Sequence, residues 1–297
     1  MKELRIFLPF YRKAVKRMSK GYGIGKTRPG RLMLKIVTRI IRSDFVEVQG
    51  HNMFVIPGNE DYSLYGVYGE LDTETVNREI KKGDIVVDVG ASIGYFTLLF
   101  ARAVGPEGKV FAFEPKPERF ELLKKNVEIN GYHNVTLENM AVMDYNGKSD
   151  FYYSKNGVTG FKLKVAENSP TREKIEQFDK GTAKTIRLED YFDEKNLSNK
   201  INFIKSDVDG PELSVLQSAG SILKNKSLKI FFEWDVIYIK AVGNEPEEIL
   251  ELLYKNNFKI YSPDFKNQKF TEVSENQLLG FKNNKYWYGE NLLCKKE

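Results

Sequence analysis

The residues of this 297-residue chain that could do chemistry stand at the ends of apolar runs. The first run, DIVVDV, leads into Asp88-Val-Gly90-Ala-Ser-Ile-Gly94. The two glycines allow a sharp turn and leave room for a ligand against the loop. A dinucleotide fingerprint has the spacing G-x-G-x-x-G, which admits a pyrophosphate at the start of a helix. The spacing here is D-x-G-x-x-x-G, so we expect a ligand without phosphates at this turn.

Glu114 ends the next apolar run, KVFAFE, where a carboxylate can accept hydrogen bonds from both hydroxyls of a ribose. Asp88 is placed to receive an ammonium group, directly or through water. A nucleoside joined to an amino acid satisfies both carboxylates, and S-adenosylmethionine is such a molecule. The sequence therefore predicts S-adenosylmethionine as the cofactor.

A second group of carboxylates follows or lies in two later apolar runs, INFIKS and LKIFFEWD. Its members, the candidate catalytic residues, are Asp207, Asp209, Glu212 and Glu233. Carboxylates that lie close together raise one another's pKa, which makes one of them a better general base near neutral pH. Asp207 stands at the strand end itself and is the preferred residue to take a proton or to orient an acceptor.

Two other roles stay open for these carboxylates. Asp209-Gly-Pro-Glu212 has the D-x-x-E spacing of a capping box, with Pro211 in the first helical turn. Capping and catalysis can coexist in these residues. A divalent cation bound by Asp207, Asp209 and Glu233 is a further alternative, because hard cations take carboxylate oxygens. The sequence leaves the metal unknown.

The scarcity of cysteine and histidine excludes several kinds of site. Cys294 is the one cysteine, and His51 and His133 are the only histidines. An intramolecular disulfide, a cysteine zinc site and a multi-histidine metal site are therefore excluded. Carbon-5 methylation of pyrimidines needs a cysteine nucleophile, which Cys294 is badly placed to be, and no [DN]-P-P-[YF] motif for methylation of a base amine follows the predicted fourth strand. Methyl transfer to an oxygen remains.

The order of elements predicts an α/β fold with a mostly parallel sheet and helices on both faces. Short continuous apolar runs, typical of buried parallel strands, alternate with helical periods from about residue 72 onward. The predicted strands are 84–90, 109–114, NVTLEN, 201–207, 228–235, 258–264 and a final strand in KYWYGENLLCKK. The predicted helices fill 72–83 and 94–105 and begin near Pro117, Pro211 and Glu245. The lysine-rich segment from about 150 to 200, with a strand at 184–188, is interpreted as an insertion at the substrate side.

Charge divides the chain into a basic helical N-terminal arm, residues 1–43, and a main domain, residues 44–297. The arm carries a net charge of +12 and the remainder −7. One interpretation is that the arm's helices, including one predicted at 31–42, pack on the main domain with their charges solvated. The other is that they bind an anionic surface, either a membrane or RNA. Neither a membrane span nor a secretory leader is expected, so the predicted location is cytoplasmic or peripheral at the membrane.

Three segments within residues 64–262 resemble one protein family. They are VVDVGASIGYFTLLFA, GPEGKVFAFEPKPERFELLKKNVEINGYHNV and FIKSDVDGPELSVLQSAGSIL. They are similar to the FkbM-type family of S-adenosylmethionine-dependent methyltransferases, and the third segment is the most family-specific. The resemblance implies a Rossmann-like class I methyltransferase fold with a seven-stranded sheet whose last strand is antiparallel. It also implies O-methylation of a hydroxyl.

The resemblance further implies a set of cofactor-binding residues. The first cofactor loop is matched by Asp88, Gly90, Ala91, Ser92 and Gly94, the ribose-binding acid by Glu114 followed by Pro115, and the stretch beside the adenine by Asn139, Met140 and Ala141. The chain departs from the usual family residues at Ser92, Lys116, Ser206, Asp209 and Pro211. The last three fall beside the expected active site, so they bear on substrate and rate more than on the cofactor.

The leading hypothesis is therefore an S-adenosylmethionine-dependent O-methyltransferase that acts on a hydroxyl of a glycan, glycolipid or metabolite. One alternative is an RNA methyltransferase whose basic arm binds phosphates. Another is a non-catalytic protein that binds S-adenosylmethionine or anchors an assembly through its arm. A nicotinamide dehydrogenase is disfavoured because the glycine spacing is wrong. The acceptor, the identity of the base and the oligomeric state are not encoded in a short motif.

Overall fold

The structure is a computed structural model that describes residues 46–55, 70–154, 161–162, 178–280 and 289–296. The helices predicted for the arm lie outside these residues. The described strands, in chain order, are β1 (Val46–Val48), β2 (His51–Met53), β3 (Ile85–Val89), β4 (Lys109–Phe113), β5 (Val135–Glu138), β6 (Ala141–Val142), β7 (Gly147–Ser154), β8 (Phe161–Lys162), β9 (Phe178–Ile186), β10 (Ile201–Ser206), β11 (Lys229–Trp234), β12 (Lys259–Asp264), β13 (Lys269–Glu272) and β14 (Glu290–Lys295). The described α-helices are α1 (Glu70–Glu79), α2 (Tyr95–Val104), α3 (Pro117–Ile129), α4 (Leu188–Asp193), α5 (Glu212–Ser218), α6 (Val236–Ala241), α7 (Pro246–Lys255) and α8 (Glu275–Gly280).

The central sheet has eight described strands in the order β13-β12-β14-β11-β10-β3-β4-β5. From β5 to β11 the neighbours pair in parallel, and β14 inserts antiparallel between β11 and β12. The predicted α/β class, with a mostly parallel sheet and an antiparallel last strand, is confirmed. The eighth strand, β13, extends the expected seven-stranded sheet by pairing antiparallel with β12. Its sequence, KFTE, is too short and too polar to be recognised as a strand.

The core lies on both faces of this sheet, which explains the continuous apolar runs of its strands. One face packs against α1, α2 and α3, with Phe100 and Leu123 fully buried. The other face packs against α4, α5 and α7, with Phe192 and Leu250 fully buried. Each strand therefore presents apolar side chains in both directions, and its polar residues fall at the two ends of the sheet.

A second, four-stranded sheet occupies part of the predicted insertion, in the order β6-β9-β7-β8. The strand predicted at 184–188 is the end of β9, which starts earlier, at Phe178. The longest pairing in this sheet is antiparallel, between β7 and β9. The boundaries of the arm and of the insertion stay predictions.

None of the described helices is long and apolar enough to cross a membrane.

Candidate active site at the carboxyl edge of the sheet

The two predicted sets of carboxylates meet where the strand order reverses. β3 lies beside β10 in the sheet, while the chain proceeds from β3 toward β5 in one direction and from β10 toward β12 in the other. At such a switch point the loops after the two strands separate and leave a crevice for a ligand. The loop after β3 carries residues 90–94, and the loop after β10 carries residues 207–211. We call this end of the sheet, where the parallel strands finish, the carboxyl edge.

Gly90 is fixed by the close approach of these two loops. Its φ of 76° lies in the left-handed region, and a Cβ at this position would stand 2.0 Å from the carbonyl oxygen of Asp207. The amides of Gly90 and Ala91 both donate to the carbonyl of Phe113, at 3.0 Å each. Only glycine meets both the backbone angle and the contact without strain. The first cofactor loop is therefore held against the ends of both β4 and β10.

Glu114 links the predicted cofactor loops to one another. It is 4 % exposed, its Oε2 accepts from the amide of Ser92 at 2.7 Å, and its Oε1 accepts from the amide of Lys116 at 2.9 Å. Burial raises the pKa of Glu114 above its ordinary value, although the Arg119 guanidinium and these two amides oppose that rise. Each carboxylate oxygen has a second lone pair. The chemistry of this acid therefore fits two ribose hydroxyls in addition to the two amides.

The third predicted stretch lies beside Glu114. The side-chain amide of Asn139 donates to the carbonyls of Glu114 at 2.8 Å and of Pro115 at 3.2 Å. Ala141 is 3 % exposed, and Met140 packs against the core at the end of β5. The structure thus brings the predicted residues of all three loops together at one edge of the sheet. Their roles in binding a cofactor stay predictions.

Asp88 points into the protein. Its side chain is fully buried, Oδ2 accepts from the Thr97 hydroxyl at 2.6 Å, and Oδ1 lies 3.7 Å from Nζ of Lys205. Oδ1 has no hydrogen-bond partner among the described residues. Burial raises the pKa of Asp88, and the Lys205 ammonium opposes that rise. Asp88 therefore meets a cation, as predicted for an ammonium group, but the cation is a lysine of the protein.

Lys205 connects Asp88 to the candidate catalytic residue. Its Nζ lies 3.3 Å from Oδ2 of Asp207 and 4.9 Å above the ring of Phe96, and the residue is 2 % exposed. Burial alone would lower the pKa of Lys205, but the carboxylates of Asp207 and Asp88 outweigh it and raise that pKa above its usual value. Lys205 is therefore charged, and it ties the strand end of β3 to that of β10.

The four candidate catalytic carboxylates differ in exposure. The side chain of Asp207 is 27 % exposed, whereas Glu212 is 1 % exposed. Burial, with the carboxylates of Asp209 and Asp207, raises the pKa of Glu212 to about 8. Burial, followed by the Asp207 carboxylate, raises the pKa of Glu233 to about 10. A pKa this far above neutral favours the protonated form of Glu233, which can donate a hydrogen bond. Asp207, Asp209 and Glu233 are partly exposed, and Glu212 alone of the four is buried.

The capping box predicted for residues 209–212 is wrong. Helix α5 begins at Glu212, its N-cap is Pro211, and no side chain caps it. The carboxylate of Glu212 instead accepts from the amide of Val208 at 3.2 Å. Asp209 adopts a φ of 56°, and Gly210 passes against the carbonyl of Tyr238, so the chain turns too sharply to place Asp209 at the helix cap. A capping box forms instead at α7, between Glu245, where a helix start is predicted, and Glu248.

Several residues of this edge escaped the sequence analysis. Lys205 could have been found, because a lysine inside an apolar strand needs a buried partner. Asp72, at the start of α1, and Asp235, after β11, could not, because their proximity depends on tertiary structure. Asp235 caps α6 by accepting from the amides of Ile237 and Tyr238. Burial raises the pKa of Asp72 to about 6.

The structure shows no set of ligands for a divalent cation in the part of the chain that it describes. Within it, no three His, Cys, Asp or Glu side chains come together in a way that could hold an ion. His51, which is 4 % exposed, lies in the separate β1-β2 sheet and forms a hydrogen bond with the Tyr132 hydroxyl at 2.7 Å. Burial and the charge of Arg102 lower its pKa to about 4.

Comparison with protein families gives this geometry its context. The family model described as the methyltransferase FkbM domain matches residues 88–260, which span the strands from β3 to the start of β12. The chain belongs to the FkbM methyltransferase family. The protein is therefore a methyltransferase, and the matched range contains Asp88, Glu114 and the four candidate catalytic carboxylates.

Two curated relatives of this FkbM methyltransferase have similar identity. Methyltransferase 1 from Beauveria bassiana is 26 % identical over 185 residues, which cover 53 % of this chain and 72 % of the relative. Hexuronic acid methyltransferase AglP from Haloferax volcanii is 26 % identical over 224 residues, which cover 74 % of this chain and 84 % of the relative. Among solved structures, methyltransferase FkbM from Methylobacillus flagellatus aligns with a TM-score of 0.41 and 14 % identity, covering 73 % of this chain and 43 % of that one.

Proposed function

We propose that the protein transfers a methyl group from S-adenosylmethionine to a hydroxyl of a glycan, glycolipid or metabolite. The observation that supports this most is the buried Glu114, whose two oxygens are each oriented by a backbone amide of a different loop at the switch point. The similarity to AglP, a hexuronic acid methyltransferase, favours a sugar among the acceptors.

The cofactor would supply an electrophilic methyl carbon bound to a sulfonium. Glu114 would hold its ribose, and the turn at Gly90 would let its amino-acid part approach the backbone. Asn139, fixed to the neighbouring loop, would border the adenine. These groups align the cofactor, and alignment supplies a large part of the acceleration of an in-line displacement.

On the acceptor side, Asp207 would take the hydroxyl proton as the methyl group is transferred. Lys205 keeps the Asp207 carboxylate in place through the 3.3 Å contact. Glu233, protonated at neutral pH, would donate a hydrogen bond that orients the acceptor. Glu212 is too deeply buried to meet the acceptor directly. We include no metal ion in this proposal.

Calorimetry with S-adenosylmethionine and with its demethylated product tests the cofactor. Transfer of a radiolabelled methyl group to glycan, lipid and RNA fractions of a lysate then tests the acceptor. We expect label in glycan or glycolipid, resistant to mild base as an ether is and a methyl ester is not. Cofactor binding without transfer to any fraction would favour the non-catalytic alternative, and label in RNA with a steep salt dependence would favour the RNA methyltransferase.

Asp207→Asn tests the assignment of the base. Because the amide cannot take the proton, we expect turnover to fall by about 10²-fold while cofactor affinity is nearly unchanged. Glu233→Gln, which resembles the protonated acid, should lower turnover less. Full turnover in Asp207→Asn would show that another acid is the base.

We also propose that the basic arm, residues 1–43, associates with an anionic membrane surface. Its charge of +12 and the alternation of basic and apolar residues in 31–42 support this. Charge reversal at Arg31, Lys35, Arg39 and Arg42 should weaken the salt-sensitive binding of the protein to anionic liposomes. Unchanged binding would show that the arm does not bind the membrane.

A further inference from the structure

The central sheet carries opposite charges at its two ends. We call the end where its parallel strands begin the amino edge. The residues at or just before the strand starts there include Lys81, Lys82, Lys109, Lys200, Lys226, Lys229 and Lys259. The residues at or just after the strand ends, at the carboxyl edge, include Asp88, Glu114, Glu138, Asp207, Asp235 and Asp264. With strands of five or six residues, the two edges are about 20 Å apart.

The antiparallel strand β14 shows that the charge follows the edge and not the direction of the chain. It begins with Glu290 at the carboxyl edge and ends with Lys295 and Lys296 at the amino edge. Lys295 stands in register opposite both Lys229 and Lys259. β13 is an exception, but its Glu272 lies 3.7 Å from Lys259 and neutralises only that lysine.

The lysines of the amino edge form one surface. Two clefts of about 200 and 450 Å³ adjoin there and share Lys226 and Lys296. Together they are lined by Lys81, Lys224, Lys226, Lys229, Lys259, Lys295 and Lys296, with Asp84 as the acid in that lining. Glu79 pairs with Lys229 at 3.1 Å and with Lys295 at 3.5 Å. The lysines still outnumber these acids, so the surface is positively charged.

The positive surface continues along the amino edge to the start of β4. A cleft of about 1010 Å³ there contains Arg102, Lys109, His133 and Lys195, with Glu107 as its acid. From β4 to β12 six neighbouring strands contribute, which makes the basic edge about 25 Å wide. A row of this width suits a broad anionic plane better than a single small ligand.

The chemistry of the edge favours lipid over nucleic acid. Its cations are lysines except for Arg102, which donates to the carbonyl of Gln49 at 2.6 Å. Lysine acts as a point charge, whereas arginine recognises phosphates through a bidentate fork. Anionic headgroups attract juxtaposed lysines without requiring such geometry. They would also repel the carboxyl edge, so a membrane would select one orientation.

We propose that the amino edge docks on an anionic lipid membrane and thereby turns the carboxyl edge, with the candidate active site, away from the lipid. In this orientation the methyl acceptor approaches from the aqueous side, as the distal part of a membrane-anchored molecule or a dissolved one does. The proposal depends on the described residues and not on residues 1–43.

Sedimentation of the full-length protein with vesicles of phosphatidylcholine and phosphatidylserine tests the surface. Lys81→Glu/Lys226→Glu changes two exposed lysines of the amino edge. The matched control Lys124→Glu/Lys125→Glu makes the same change in charge on two exposed lysines in the middle of α3. We expect the first variant to partition at least about tenfold more weakly and the control to change little.

Equal partitioning of the two variants would overturn the proposal, because docking would then belong to the arm or to net charge alone. Failure of the unmodified protein to bind these vesicles, or binding to RNA in their place, would overturn it as well. Methyl transfer in solution is measured separately. If docking is lost while methyl transfer is intact, only the docking proposal fails. If methyl transfer is absent while docking is intact, only the proposed function fails.

The orientation is tested with one label at each edge. Ser227→Cys places an environment-sensitive dye at the amino edge, and Asn267→Cys places it in the turn after β12, at the carboxyl edge. The native Cys294 is fully buried and should stay unlabelled. A lipid-borne quencher should quench the dye at position 227 but not at position 267. Equal quenching, or quenching at 267 alone, would contradict the orientation.

Discussion

Among single residues, Lys205 has the largest consequences for the site. It is the one lysine or arginine that is buried among the described residues, and it contacts the carboxylates of Asp88, in β3, and of Asp207, just after β10. A buried ion pair adds little stability over an apolar replacement, but removing one partner leaves an uncompensated charge. The positions of the Asp88 and Asp207 carboxylates therefore depend on Lys205.

Lys205→Met should lower the free energy of unfolding by about 3–5 kcal/mol, because Asp88 is then buried without a cation. Lys205→Met/Asp88→Asn should recover part of that loss, since it removes both charges. Urea denaturation of the two variants and of Asp88→Asn measures the coupling. If the two single changes were additive in the double variant, the interaction between Lys205 and Asp88 would be negligible.

Glu114→Ala should weaken binding of S-adenosylmethionine by roughly 1–3 kcal/mol, because charge-assisted hydrogen bonds to the ribose are lost. Glu118→Ala, an exposed acid in the first turn of α3, is the control and should bind normally. Calorimetry gives both affinities. Glu114→Gln keeps an oxygen that can accept from the amide of Ser92, so the loop should stay ordered. Weaker binding by this variant would therefore reflect lost contact with the ligand and not disorder of the loop. Normal binding by both Glu114 variants would argue against the ribose assignment.

The placement of a residue could be predicted where its position in a strand decides its environment, while the role of each residue stays a prediction. Glu114 and Asp207 were found because carboxylates at the ends of parallel strands must meet at one edge. The burial of Asp88 and the protonation of Glu233 were not foreseen, because both depend on neighbours from other strands. Lys205 was overlooked for the same reason, although its apolar surroundings in INFIKSD are a signal for a buried ion pair.

At the scale of elements, the two strand-to-loop transitions after β3 and β10 determine each other's shape. Position 90 accepts only glycine because the carbonyl of Asp207 passes there, and position 210 accepts only glycine because the carbonyl of Tyr238 passes there. The loop after β10 is thus packed between the loop after β3 on one side and α6 on the other. Changes in one loop should be transmitted to the next by backbone contact.

Gly90→Ala should lower the free energy of unfolding by about 2–4 kcal/mol, combining a left-handed backbone with a clash against Asp207. Gly131→Ala is a matched control, because its φ of 69° is similar and nothing lies within 4 Å of its Cβ position. It should lose only about 1–2 kcal/mol. Thermal or urea unfolding measures the difference. Equal losses would mean that the loop moves away from Asp207 at little cost.

The sequence did not predict helix α6 or strand β13, because both are short. Helix α6 has six residues and β13 has four, and neither has a periodic pattern long enough to read. The strands of the central sheet were predicted to within a residue or two because they are buried on both faces and flanked by turn residues. The capping box was misplaced because the spacing D-x-x-E says nothing of the φ that Asp209 must adopt.

For the molecule as a whole, folding makes two glutamates of the carboxyl edge harder to ionise. The pKa values of Glu233, about 10, and Glu212, about 8, are above those of glutamates in an unfolded chain, about 4.3. Between those limits the folded protein binds more protons than the unfolded one. The contribution of these two glutamates to stability therefore falls as pH rises from about 4 toward 10. Keeping these two acids in the folded protein therefore lowers its stability at neutral and alkaline pH.

Glu233→Gln should remove part of this dependence. The amide resembles the protonated acid, so the variant should gain up to about 5 kcal/mol at pH 8 and almost nothing near pH 4. Unfolding curves over this range of pH measure the gain. Glu251→Gln, at an exposed position on α7, is the control and should leave the slope unchanged. A Glu233→Gln slope equal to that of the unmodified protein would show that Glu233 ionises normally.

The position of β14 has a consequence for synthesis on the ribosome. β11 and β12 have no direct pairing and are joined only through β14, which is the last described strand of the chain. A nascent chain that has emerged up to residue 288 therefore exposes two unpaired strand edges rich in apolar residues. Such edges recruit foreign strands. The growing polypeptide should consequently depend on chaperones until this strand emerges, and a stop codon placed just before residue 289 should yield an aggregating product.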